Sequence, residues 1–184
     1  MVFLHTASVL LCGLVASVAP AALAAPQQRT AAEHDIKAAY LYNFTRFVSW
    51  PAGIPPGAEP FRVCVVADRT TTEAVERTMS GETVDGRPVE TLVPRSATEI
   101  KACQLLFVGR NDEDRAVPML TAARDAPVLV VGEEEAITQQ GGAITFVMER
   151  GKVRFDITSR NAQRNGLTIS SRLLNVARRT DVEK

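Results

Sequence analysis

Lys37-Ala38-Ala39-Tyr40-Leu41-Tyr42-Asn43-Phe44-Thr45-Arg46-Phe47-Val48-Ser49-Trp50-Pro51 holds both tyrosines, the only tryptophan and two of the seven phenylalanines. Ile36, Tyr40, Phe44, Phe47 and Val48 recur at helical spacing, which predicts an amphipathic helix with a mostly aromatic face. Lys37 and Arg46 fall off that stripe and are expected in water; Asn43 lies at its edge, in reach of a hydrogen bond there. Pro51 disfavours the α region at Trp50, so the helix should end near Ser49. Large rings bury large areas, and the plainest reading is a core helix. The sharper reading leaves one or two rings exposed for a partner, with Tyr42 and Trp50 the candidates.

Beyond this helix, apolar runs alternate with helical patterns. Phe61 to Ala67 is an almost continuous apolar, β-branched run, as a strand buried on both faces requires. Thr70-x-x-Glu73 reads as a capping box opening a helix that ends near Gly81. Pro88 to Val93, after the turn Asp85-Gly86, reads as a strand, and Ser96-x-x-Glu99 as the cap of a single helical turn. Gln104 to Gly109 and Val128 to Gly132 read as strands. The helix between them, Asp114 to Ala123, contains Pro118 and should be kinked or start later. Glu133 to Gln140 is a short helix closed by Gly141. Ala143 to Met148 and Val153 to Thr158 form a hairpin through Arg150-Gly151. Ser171 to Arg178 is a last helix, capped by Ser170 or Ser171. The pattern predicts an α/β fold: a mainly parallel sheet, an antiparallel C-terminal hairpin, and helices on both faces.

Residues Val2 to Ala25 carry no Lys, Arg, Asp or Glu, and the apolar run closes on Ala22-Leu23-Ala24. Residues 1–24 therefore read as a secretory signal cleaved near Ala24. An uncleaved anchor competes, since the run is about long enough to span a bilayer; its Ala and Gly content favours cleavage. Residues 25–32 read as a mobile mature terminus and 33–180 as a single domain. No segment of the mature chain reads as a transmembrane span.

Basic and acidic residues balance at 21 each, so no global nucleic-acid footprint exists. The distribution is uneven. Residues 151–184 carry eight basic against three acidic side chains, net +5; residues 51–150 carry ten against sixteen, net −6. The basic end suits an acidic partner or an anionic membrane surface, or is simply a solvated face. His34 is the only histidine after the signal, and no zinc-ligand spacing, Walker loop or dinucleotide fingerprint is present. Gly141-Gly142 reads as a helix stop leading tightly into a strand, and Glu133-Glu134-Glu135 as acidic residues favouring a helix N-terminus. No cofactor, metal site or catalytic set is expected, and the chain reads as a non-enzyme. Two cysteines remain in the mature chain, Cys64 inside the first strand and Cys103 just before the strand from Gln104. They are either free buried thiols or, favoured by export, a disulfide between neighbouring strands.

The aromatic run resembles the opening motif of the YfiR family. Phe61-Arg62-Val63-Cys64-Val65-Val66, Gly141-Gly142-Ala143-Ile144, Val153-Arg154-Phe155-Asp156-Ile157 and Gly166-Leu167-Thr168-Ile169-Ser170-Ser171-Arg172-Leu173-Leu174 resemble it in the same order. The motif positions are Tyr40, Asn43, Phe44, Phe47, Pro51, Gly141, Gly142, Arg154 and Phe155. The resemblance implies a small periplasmic protein that binds the periplasmic sensor domain of an inner-membrane diguanylate cyclase and lowers cyclic di-GMP synthesis. It also suggests a homodimer, and a redox input if the cysteines bond. Tyr42, Trp50, Arg172 and Arg178 are the expected partner contacts. The alternative is a periplasmic small-molecule-binding accessory of an envelope transport system, which would need a closed aromatic pocket rather than an exposed aromatic patch.

Overall fold

A computed structural model describes residues 24–181, so the signal expected over 1–24 lies almost wholly outside the described residues. In chain order the elements are α1 (Ala24–Phe47), β1 (Val48–Ser49), β2 (Phe61–Val66), α2 (Arg69–Met79), β3 (Thr83–Val84), β4 (Arg87–Leu92), a 3₁₀ turn (Ala97–Ala102) and β5 (Leu105–Val108). Then follow α3 (Glu113–Ala123), β6 (Leu129–Gly132), α4 (Glu135–Gln139), β7 (Ile144–Glu149), β8 (Lys152–Ile157), α5 (Ser159–Arg164), β9 (Thr168–Ile169), α6 (Ser171–Val176) and β10 (Arg179–Thr180).

Eight strands form one sheet in the order β10-β8-β7-β6-β5-β2-β4-β3. β4, β2, β5, β6 and β7 run parallel, while β7 and β8 form the expected antiparallel hairpin. Arg150 and Gly151 turn that hairpin with φ of 50° and 74°, the left-handed pair a two-residue turn needs. Asp85 and Gly86 turn β3 into β4 in the same way, with φ of 51° and 76°. Each central strand supplies both faces of the sheet. Val63 and Val65 of β2 join the core under α1 and α2, whereas Cys64 and Val66 join the core with the 3₁₀ turn and α3. This is the layered α/β architecture the alternating pattern implies.

Several local expectations are corrected. α1 begins at Ala24, earlier than the start near Ala31 or Glu33 that the aromatic stripe suggests; Pro26 sits in the first turn, where its missing N–H is tolerated. α1 ends at Phe47, and Val48–Ser49 pair antiparallel with Ile169 and Thr168. Asp68, not Thr70, caps α2: its Oδ1 accepts from Thr71 N at 3.0 Å, and Glu73 pairs instead with Arg69. α3 starts at Glu113, one residue early, with Pro118 inside it. α6 stops at Val176, because Arg179 and Thr180 extend to pair in parallel with Asp156 and Ile157. Its cap is Ser170, whose Oγ accepts from Leu173 N.

The aromatic helix packs on the hairpin. Phe44 lies 5.0 Å from Phe155 and 5.7 Å from Phe146, and Tyr40 lies 5.4 Å from Phe155, ring centre to ring centre. The buried face of α1 is Lys37, Ala38, Leu41, Phe44 and Thr45, and Val48 of β1 continues it. Two expectations fail here. Ile36 is 46% exposed, and Lys37 is only 3% exposed. Arg46 does face solvent, as does Asn43.

Candidate functional site

Doubly wound sheets leave a crevice beyond the carboxyl ends of their strands, where the strand order reverses. Here the reversal falls between β2 and β5. A cleft of about 710 Å³ opens there, walled by Ala67 and Asp68 after β2, Arg110 to Asp112 after β5, Glu133 after β6, and Glu33, His34 and Lys37 of α1. Its charges are spent on one another. Lys37 Nζ lies 2.7 Å from Glu133 Oε2 and 2.5 Å from Glu33 Oε1. Arg115 pairs with Asp112 at 2.8 Å, Arg69 with Glu73 at 2.7 Å, and Arg110 reaches Glu134 at 3.5 Å. Burial alone would raise the Asp68 carboxyl, but hydrogen bonds from Thr71 N and Oγ1, with the charge of His34, hold it below the ordinary carboxylate range. Buried His34 Nδ1 has no hydrogen-bond partner among the described residues. Among the described residues no cluster of His, Cys, Asp and Glu could hold a metal ion.

The expected partner contacts separate into two kinds. Trp50 and Tyr42 are half-buried and used by the fold. Trp50 meets Phe61 edge-on at 5.0 Å, and its Nε1 donates to Gln104 O at 3.1 Å, below the start of β5. Tyr42 OH lies 3.4 Å from Thr83 O, and a hydrogen bond to Glu82, with burial and that negative charge, raises the phenol's pKa. Trp50 and Phe61 also line a cavity of about 200 Å³ together with Ile54, Pro55 and Val84. Arg172, by contrast, is exposed on α6 and has no side-chain partner among the described residues. Val176, on the same helix, is 63% exposed.

Arg178 and Arg179 follow this helix and converge on one carboxylate. Arg178 Nε donates to Asp156 Oδ1 at 2.8 Å, and Arg179 Nη2 to Asp156 Oδ2 at 2.9 Å. Burial pushes Asp156 up, but the two guanidinium groups outweigh it and hold the carboxyl low. Asp181 behaves alike: burial is outweighed by hydrogen bonds from the Ser159 and Arg160 amides, at 2.6 and 3.2 Å. Asp181 thereby caps α5, a role whose partner lies 22 residues away and which no local pattern announces. Asp156 and Asp181 together fasten the basic end to the β8 edge.

Cys64 and Cys103 are disulfide-bonded, with Cα atoms 5.9 Å apart. Pairing of Cys64 with Leu106 in the β2–β5 ladder brings the start of β5 alongside. Gly141 and Gly142 act as read from the sequence. Gly141 leaves α4 at φ +107°, and a Cβ on Gly142 would meet Ile137 O at 2.8 Å. Arg154 is exposed on β8, while Phe155 is buried beside it. Phe47 and Pro51 stand at the far end, where Pro51 lies against Gly166.

The sequence profile of the YfiR/HmsC-like family matches residues 34–178. No curated protein matches the sequence. Among solved structures, a conserved domain protein from Vibrio cholerae O1 biovar El Tor is similar at a TM-score of 0.48 and 13% identity, over 65% of this chain and 54% of that one. The ABC domain in complex with L-Trp from Streptococcus pneumonia is similar at 0.48 and 14%, over 66% and 55%. The chain therefore spans about half the length of these two structures.

Proposed function

We propose, from the premise that this chain belongs to the YfiR/HmsC-like family, that it is a periplasmic regulatory binding protein. It represses an inner-membrane diguanylate cyclase by holding that enzyme's periplasmic sensor domain in one state, which lowers cyclic di-GMP synthesis across the membrane. The family match over most of the chain carries this reading. Repression needs only unequal affinity for two states of the sensor, so the repressor acts by binding and not by turnover. No helix among the described residues is long and apolar enough to cross a membrane, which is compatible with this placement.

The contact surface we assign is the basic C-terminal end, with Arg172 and Val176 of α6 at its centre and Arg178 beside them. An exposed arginine next to an exposed valine suits an apolar spot ringed by acidic residues on the partner. Arg178 also serves the fold through Asp156, so Arg172 is the cleaner probe. Deleting the gene should raise cellular cyclic di-GMP, and Arg172→Glu with Val176→Asp should do the same while leaving the thermal unfolding midpoint unchanged. An unaltered nucleotide level on deletion sinks the repressor reading; an unaltered level in the double variant alone moves the contact elsewhere.

A further inference from the structure

Another cavity, of about 390 Å³, lies between α3, α4 and α5, and none of its lining residues belongs to α6. A small apolar patch comes from Leu120 and Ala123 of α3 and Val130 of β6, and the rest of the lining is mostly polar, with Gln139 and Gln140 at the end of α4. Two asparagines of α5 and its end form the polar side. Asn161, 8% exposed, spends its amide nitrogen on Thr138 O at 3.0 Å and Gly142 O at 2.8 Å. Asn165 spends its own on Ala123 O at 3.2 Å and Val128 O at 2.8 Å. Each amide oxygen is left without a donor among the described residues. Arg124, closing α3, and Arg164, closing α5, stand at the rim. Neither guanidinium has a hydrogen-bond or ion-pair partner among the described residues. That contrasts with the cleft beyond β2 and β5, where each arginine meets a carboxylate. Among the described residues Asp125 is the one acidic side chain in the lining, against Arg124 and Arg164, so the cavity is net cationic.

From this arrangement we infer that the cavity binds a small organic carboxylate that carries a hydroxyl or amine donor on a short carbon skeleton. The guanidinium fork matches a carboxylate bidentately and sheds its water more readily than an ammonium does. The patch of Leu120, Ala123 and Val130 meets the ligand's carbon skeleton, which an inorganic oxyanion lacks. The free asparagine oxygens accept from the ligand's donor, and the volume lies within the range of small-molecule sites. The inference does not depend on the cyclase reading, because binding is measured on the isolated chain.

The test titrates the oxidised mature protein with 4-hydroxybenzoate, its neutral amide 4-hydroxybenzamide, and inorganic sulfate, following backbone amide chemical shifts. Saturable shifts at residues 120–125, 139–142 and 161–165 are expected with the carboxylate. Arg124→Ala and Arg164→Ala should each weaken binding by about tenfold, the scale of one lost charged hydrogen bond. Both arginines are exposed, so the unfolding midpoint should not move. Absence of saturable shifts, equal binding of the amide or of sulfate, or unchanged affinity in the double arginine variant would each overturn the assignment.

Discussion

Lys37 sits under the switch-point cleft with its ammonium between Glu33 and Glu133, and burial decides what it is worth. Lys37 and Glu133 are each nearly sealed from water, at 3% and 6% side-chain exposure. An ion pair so buried adds little net stability, yet removing one partner strands the other charge at a cost of about 3–5 kcal/mol. Lys37→Met should therefore destabilise strongly, and Lys37→Met with Glu133→Leu should recover most of the loss. Urea denaturation midpoints measure both; a double variant no better than the single would refute the stranded-charge account. Lysine at this position looks solvated in the sequence, because its partner Glu133 arrives from 96 residues away. The helix accordingly rolls so that Lys37 points inward and Ile36 outward. Tyr40 and Phe47 then lie at the margin of the buried face, and Leu41 moves to its centre.

Among the elements, the C-terminal strand is held by charge more than by its two-residue ladder. Arg178 and Arg179 grip Asp156, and Asp181 caps α5, so β10 is fastened at both ends. Both carboxyls have pKa values depressed in the fold. A depressed carboxyl stabilises fully above its unfolded value of about 3.9, and that contribution fades as pH falls through the lower folded value. The β10 clamp should thus be intact from neutral pH to about 5 and release below about 4. Amide hydrogen exchange at Ser159 and Arg160, both donors to Asp181, should quicken over that interval relative to β2. Asp181→Ala should produce the same local opening already at pH 7, and should cost about 0.5–2 kcal/mol as a lost helix cap. Exchange that stays parallel at the two sites would dismiss the clamp.

The whole molecule has its longest-range covalent restraint in the central strands. The Cys64–Cys103 bond closes a loop of 39 residues holding α2, β3, β4 and the 3₁₀ turn. On the chain-entropy account this restraint is worth about 4 kcal/mol. Reduction, or Cys64→Ala with Cys103→Ala, should lower the unfolding free energy by that order. Denaturant titration with and without reductant reads it directly; a shift below about 1 kcal/mol would place the two cores' stability elsewhere. Both cysteines lie in the core layer shared by the 3₁₀ turn and α3, so the loss should open that layer first.

The sequence by itself determined the layer order: apolar runs at strand length, breakers between them and left-handed turn residues such as Arg150-Gly151 depend on local backbone physics. It also determined that Cys64 and Cys103 would lie within bonding reach, once their strands were neighbours. The rotation of α1, the cap of α2 at Asp68, the short strands β1, β9 and β10, and the roles of Asp156 and Asp181 came only with the tertiary structure. Each of these rests on partners distant in the chain, and a two-residue strand carries no periodicity to read. The unpaired arginines of the α3–α4–α5 cavity belong to the same group, because whether a charge is paired is a property of three-dimensional neighbours and not of spacing.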